Sequence, residues 1–263
     1  RAIFKSWFVD FDPVRAKAEG RDTGLPKEIA DLFPDRLVES EIGEVPEGWT
    51  HTTLGELHPD DPQCVITGPF GSHLHAHDYA DSGVPLILVK HVGYGALVGS
   101  DHPLVNPAKA QELTRYQLEP GDIVFTRVGA VGRSALIGPR ESGWLISGQL
   151  LRVRCPRPEV LHPRYLAQAY VDPAFVSMVE SHALGSTRPS LNTKLLLNFK
   201  ILLPAPSAMR AFVDAVTPID ARATLAAAES RALDELRDTL LPKLISGELR
   251  VPEAMLQIEG ATA

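Results

Sequence analysis

Apolar residues recur along this chain at two different spacings, and the change comes between Pro204 and Pro206. Beyond it Met209, Phe212, Val216, Ile219, Ala223, Ala226 and Leu233 alternate steps of three and four, with Ser230 in one polar slot, the a/d seam of a coiled-coil helix. Leu225 and Leu236 flank that seam, and Leu240 and Leu244 extend it. Pro218 is expected to start or kink the helix, Pro242 to bend its end and Gly247 to stop it. Residues 219–240 alone would make a rod of roughly 33 Å at ~1.5 Å per residue. One apolar seam with a charged reverse side asks for a partner helix. Phe212, Val216, Ile219, Ala226, Leu233, Leu236 and Leu240 are therefore the expected pairing residues.

Before Pro206 the runs are short and cut by turns, which predicts strands at 50–54, 64–67, 84–91, 122–127, 134–137, 150–154 and 200–203. Two helices interrupt them, at 163–171 and Pro173–Leu184. Strands first and helices later, without a βαβ rhythm, predict an α+β fold with a mixed or antiparallel sheet. The segment 184–206 reads as a turn-rich cationic loop followed by the strand that closes this domain. At the other end, Ile3, Phe4, Trp7, Phe8 and Phe11 space as the last turns of an amphipathic helix that would begin upstream. Pro13 ends it, and 14–44 is charged and turn-rich, expected to be a surface linker with one short helix within 25–33. The expected organisation is thus 1–45 helix end and linker, 46–206 sheet-rich domain, 207–250 long helix and 251–263 tail.

Composition narrows the picture modestly. A hydrophobic content of 44% and a charged content of 22% are those of an ordinary globular chain. No apolar run approaches the ~20 residues of a membrane helix, and the two cysteines, Cys64 and Cys155, set no disulfide framework; a cytoplasmic location and no membrane partner are expected. The net charge of -7 weighs against a wholly nucleic-acid-binding surface, but it is unevenly placed. The flanks 1–45 and 207–263 carry -3 each, while 46–206 carries -1 and all nine histidines.

Catalytic motifs are absent. His73, His75 and His77 alternate in HLHAHD and could offer metal ligands, yet a polar histidine loop is the simpler reading, and no metal site is expected. TGPFGS, at 67–72, lacks the Gly-Lys-Ser/Thr ending of a phosphate loop, and neither a nucleophile elbow nor a methyltransferase Asn/Asp-Pro-Pro-aromatic loop occurs.

Binding loops are better represented. Gly68 and Gly71 let backbone approach a phosphate beside Phe70, Ser72 and His73, although Phe70 could equally fill the core. Arg127 and Arg133 flank the glycines of a hairpin, Lys90 ends a strand, and Gln149 begins one. The loop GSTRPSLNTK supplies Thr187, Arg188, Asn192 and Lys194, types that hold phosphates and discriminate base edges. These eleven residues are the candidate DNA contacts. A different reading from the same residues is an assembly adaptor whose sheet domain grips a protein or a glycan.

An ordered set of stretches carries a family resemblance: FKSWFVDFDPVRAK, VPEGW, GPFGSHL, GVPLILVKHV, EPGDIVFTRVGAVGR, SGQLLRVR, GSTRPSLNTKLL and LRDTLLPKLISGELRV. Each is unspecific alone, but together they cover nearly the whole chain. The chain resembles the specificity subunit of type I restriction–modification systems, and in particular its C-terminal half. That resemblance implies a non-catalytic subunit in which two target recognition domains, each followed by a long helix, read the halves of a bipartite DNA site. It also implies methyltransferase and restriction (translocase/nuclease) subunits as partners, with S-adenosylmethionine on the methyltransferase and no cofactor here. Because this sequence has one such domain, its helix would pair with a second half-subunit or another copy.

Overall fold

The computed structural model describes residues 1–59, 62–69, 71, 73–155, 157–184 and 190–248. The chain forms two units, Arg1–Val213 and Asp214–Ala263. The first is α+β; the second is helical over most of its described residues. Among the described residues no helix is long and apolar enough to cross a membrane.

The amino-terminal segment is core rather than covering. Helix α1 (Ala2–Phe8) buries Phe4, Trp7 and Phe8, and α2 (Asp12–Ala18) buries Val14 and Ala16. Phe11 joins them in the left-handed conformation, φ 56°, which turns the chain sharply between the two helices. A one-turn helix α3 (Lys27–Ala30) precedes the buried Phe33. The expected surface linker at 14–44 is thus corrected at Val14, Ala16 and Phe33. Phe33 packs against Trp7 and Trp49 from other elements, which local charge content cannot reveal. A hairpin of β1 (Leu37–Ser40) and β2 (Gly43–Pro46) follows, then β3 (Thr50–Thr52) and α4 (Leu54–Leu57). Thr53 starts α4 with a capping box closed by Glu56.

The body of the domain is built from β4 (Val65–Thr67), β5 (Tyr79–Ala80), β6 (Val84–Ile87), β7 (Tyr94–Gly95), β8 (Leu104–Val105), helix α5 (Pro107–Glu112), β9 (Ile123–Thr126), β10 (Ser134–Leu136), β11 (Leu145–Ile146) and β12 (Leu150–Val153). Five strands run in the order β4-β12-β9-β10-β7 and four in the order β11-β6-β8-β5. Pairing is mixed, with β7–β10 and β6–β11 parallel and the other pairs antiparallel. The predicted strand at 84–91 is shorter than expected: it stops at Ile87 and a 3₁₀ turn, Val89–His91, takes over. Alternation along β6 and β11 serves two cores. Ile87 and Ile146 join Val124, Ala135 and Leu150, whereas Leu86 and Leu145 join Val105, Ala110 and Leu113. Central β9 and β12 are buried at every position, the pattern of strands covered on both faces.

Helices α6 (Pro163–Tyr170) and α7 (Pro173–Leu184) follow, with Tyr170 edge-on to Phe125. The strand predicted at 200–203 is present, but its expected extension back through 195–199 is corrected. Asn192 caps a short helix α8 (Thr193–Asn198), and only β13 (Ile201–Leu203) is extended, paired with β3 outside the main sheet. Three consecutive leucines fit helix or strand alike; the cap decides for helix. Helix α9 (Pro206–Ile245) then runs for 40 residues, about 60 Å. Its start at Pro206 suits a residue with preset φ and no N–H to lose, so Pro218 lies inside the helix instead of beginning it. Gly247, at φ 74°, follows its end. Phe212 is corrected too: it packs within its own domain, edge-on to Phe4, Trp7, Phe8 and Tyr165, and is closed to a partner helix. Val216 and Leu236 are half-buried, Ile219, Ala226 and Leu233 exposed, and Leu240 buried.

Candidate nucleic-acid interface

Strand register places most of the candidate loops at one end of the five-stranded sheet. Thr67, the last residue of β4, pairs with Leu151 near the start of β12, and Leu150 pairs with Thr126 at the end of β9. Ser134 opens β10 opposite Phe125, and Tyr94 opens β7 opposite Ser134. The loops after β4 and β9, the turn before β12 and the entry to β7 therefore leave from the same edge. The end of β6 joins them, because Ser147 N–H donates to Ile87 carbonyl at 3.0 Å. Rigid strands ending together are a scaffold for recognition loops.

Several of these loops are stitched to one another. Arg127 N–H donates to Gln149 carbonyl at 3.0 Å, and Leu191 N–H donates to Arg127 carbonyl at 2.9 Å. Val128 bridges to Ser190 antiparallel. These bonds bring Arg127, Gln149, Asn192 and Lys194 into one neighbourhood. Gly68 meets the same turn: a Cβ on it would stand 2.2 Å from the Ser147 carbonyl oxygen, so only glycine lets the backbones approach this closely. Within the 127–133 hairpin, Thr126 Oγ1 donates to Ala130 carbonyl and accepts from Arg133 N–H at 3.1 Å, which fixes the tip. Gly129 and Gly132 supply the positive φ values, 75° and 90°, that the tip needs.

The individual side chains differ in what they have left to offer. Gln149 and Lys194 are exposed, and Arg127 is half-buried. Asn192 Oδ1 accepts from Leu195 N–H at 2.8 Å, so its carbonyl is committed to capping α8 and its amide alone faces solvent. Lys90 is in contact with Asp101, which neutralises much of its charge. Arg133 lies with its guanidinium carbon 5.5 Å from the centre of the Tyr94 ring. His73 is exposed. Phe70, Ser72, Thr187 and Arg188 lie outside the described residues.

The buried His91 and the half-buried His102 support the Lys90 corner. Leu88 N–H donates to His91 Nδ1 at 3.1 Å, which puts the His91 proton on Nε2, 3.4 Å from Asp101 Oδ1. His102 Nδ1 lies 3.0 Å from His91 Nδ1, and its ring is edge-on to Trp144. Burial holds the His91 pKa below the ordinary imidazole value despite the pull of Asp101; burial, then His91 itself, lowers that of His102. The alternating histidines are arranged otherwise: His75 and His77 stack at 5.3 Å, and His75 N–H donates to the buried Asp78. Among the described residues no group of three His, Cys, Asp or Glu side chains converges to hold a metal.

Two features had no advance signal. Tyr94 stands 54% exposed at the shared sheet end, and its only mark in the sequence is a place between two glycines. A polar cleft of about 270 Å³ runs beside edge strand β4, lined by Gln63, Thr67, Gly68, Arg115, Tyr116 and Thr193. Its lining comes from three segments spread over more than a hundred residues, so no local motif announces it.

No family model matches the chain. Curated relatives are the HindI specificity subunit of a type I restriction enzyme from Haemophilus influenzae, 25% identical over 289 residues, covering 95% of this chain and 61% of the relative. The MjaIX specificity subunit of a type I restriction enzyme from Methanocaldococcus jannaschii is 23% identical over 253 residues, covering 95% and 52%. The crystal structure of a type I restriction–modification S subunit from M. genitalium matches in fold, with a TM-score of 0.50 and 18% identity over 75% of this chain and 46% of that one. The chain thus spans about half to three-fifths of the length of these curated relatives.

Proposed function

We propose, from the premise that this chain is a relative of type I restriction enzyme specificity subunits, that it is a non-catalytic, sequence-specific reader of duplex DNA. The observation that carries this reading is the meeting of Arg127, Arg133, Gln149 and Lys194 at one end of the sheet, on loops stitched together by backbone hydrogen bonds. Cations there would hold phosphates, while glutamine and arginine suit base edges in the major groove. The module would read one half of a bipartite target. Its exposed helix seam at Ile219, Ala226 and Leu233 would pair with a second half-subunit or another copy. Methyltransferase subunits, which would carry S-adenosylmethionine, and a restriction subunit would complete the complex in the cytoplasm. Those partners would add phosphate contacts that an acidic chain cannot supply by itself.

The test is selection from a randomised duplex library by the complex of this chain with its methyltransferase subunits. A defined half-site is expected, and Arg127→Ala with Lys194→Ala should weaken binding and flatten its salt dependence. Recovery of random duplexes, with cross-links to a protein or glycan in place of DNA, would overturn the reading.

A further inference from the structure

Arg133, unlike Lys90 with its Asp101, has no carboxylate partner among the described residues. Its Nε is buried without a hydrogen-bond partner. What holds the side chain is the Tyr94 ring, 5.5 Å below the guanidinium carbon. The Tyr94 backbone is itself placed from two sides: β7 pairs with β10 at Ser134, the neighbour of Arg133, and Arg1 Nη2 donates to Tyr94 carbonyl at 3.0 Å. A guanidinium held over an aromatic face can keep its terminal Nη N–H groups for an acceptor. Those groups fit the paired oxygens of a phosphate.

We propose that Tyr94 is a positioning residue that presents Arg133 to a backbone phosphate of the duplex. The inference rests on the DNA-reading function proposed above and adds to it how one contact is organised before DNA arrives. Preorganisation matters because a free arginine gives up rotamer freedom on binding, and the ring has already taken that freedom away.

The experiment measures affinity for a mixed-sequence duplex against salt, using the full chain assembled with its methyltransferase subunits. Arg133→Ala should flatten the log–log salt slope by about 0.9, one phosphate's share, so that its deficit shrinks about 3.5-fold between roughly 50 and 200 mM salt. Tyr94→Leu should weaken binding about threefold, and Tyr94→Phe should bind as wild type, since the ring face and not the hydroxyl is used. In an Arg133→Ala background Tyr94→Leu should have no further effect. Tyr94→Gln serves in place of the leucine variant if that one fails to fold. An unchanged slope in Arg133→Ala, or the same loss from Tyr94→Leu with and without Arg133, overturns the proposal while leaving the DNA-reading function intact. Absence of duplex binding by the wild-type complex overturns both.

Discussion

Phe212, early in the long helix, meets Phe8 of the first helix edge to face, with ring centroids 5.3 Å apart and planes at 88°. The contact ties the start of α9 to the amino-terminal helix through a cluster that also holds Phe4, Trp7 and Tyr165. A seam residue that sequence periodicity assigns to a partner is in fact an anchor for its own domain. Phe212→Ala should therefore destabilise the isolated chain by about 3–5 kcal/mol, the cost of emptying a buried aromatic site. Leu225→Ala, at a position 70% exposed, should change stability by less than about 0.5 kcal/mol. Urea unfolding of both variants decides it, and equal losses would show that Phe212 is not an anchor.

Gly68 and the Ser147 carbonyl give a second expectation. A methyl group at Gly68 would overlap backbone atoms of Ser147 and Ile146, which cannot rotate away as a flexible side chain would. Gly68→Ala should cost about 1–3 kcal/mol and weaken duplex binding, because the two loops must part. Gly71→Ala is the control, with nothing within 4 Å of its added Cβ. If thermal unfolding finds the two variants alike, the close approach is not a constraint.

Much of this architecture was legible in advance and some was not. The largely apolar runs Ile123–Thr126 and Leu150–Val153, the latter carrying a buried Arg152, announced strands because full burial favours apolar residues on both faces. The amino-terminal segment misled because Val14 and Phe33 sit among charges and turns, and the rings covering this region arrive from distant parts of the chain. Residues 195–197 misled for another reason: a leucine triplet has no period, and Asn192 three residues before Leu195 was the only cue to a helix. At the candidate interface, residue types such as Arg127 and Lys194 could be chosen by chemistry alone. Their convergence required register, because Leu191 reaches Arg127 across more than sixty residues. Tyr94 was missed because exposure, not composition, makes an aromatic available.

The His91–His102 pair sets a pH dependence whose sign follows from its burial. Burial lowers the folded-state pKa of His91 and His102, while in the unfolded chain each returns to ~6.5. Below about pH 6.5 the unfolded state therefore takes up protons that the folded state refuses, and stability falls as pH falls. The groups facing the pair are Lys90, Asp101 and Arg140. Asp101, with its pKa lowered first by Lys90, stays charged in this window. The melting temperature should drop between pH 7.5 and 5.5, and a His91→Gln/His102→Gln variant should drop less. A residual slope is expected from His51, whose pKa burial also lowers. An equal drop in variant and wild type would place the pH sensitivity elsewhere.

The Lys90–Asp101 contact offers a way to strengthen binding by removing a residue. Both side chains are largely exposed, 55% and 70%, so breaking the Lys90–Asp101 pair itself should cost little stability, although Asp101→Ala also removes the carboxylate 3.4 Å from the buried His91 Nε2. Its effect on DNA would be larger, because Asp101 both cancels Lys90 and repels phosphate. If the Lys90 corner faces the duplex, Asp101→Ala should raise affinity at low salt and steepen the salt slope by up to about 0.9, one additional phosphate contact. Lys90→Ala alone should change little, since the wild-type lysine is already paired, whereas adding it to Asp101→Ala should cancel the gain in slope. Salt titrations of the three variants against wild type separate these effects. A slope that stays the same in Asp101→Ala would take the corner between β6 and β7 out of the DNA-contacting surface and leave the interface to Arg127, Arg133, Gln149 and Lys194.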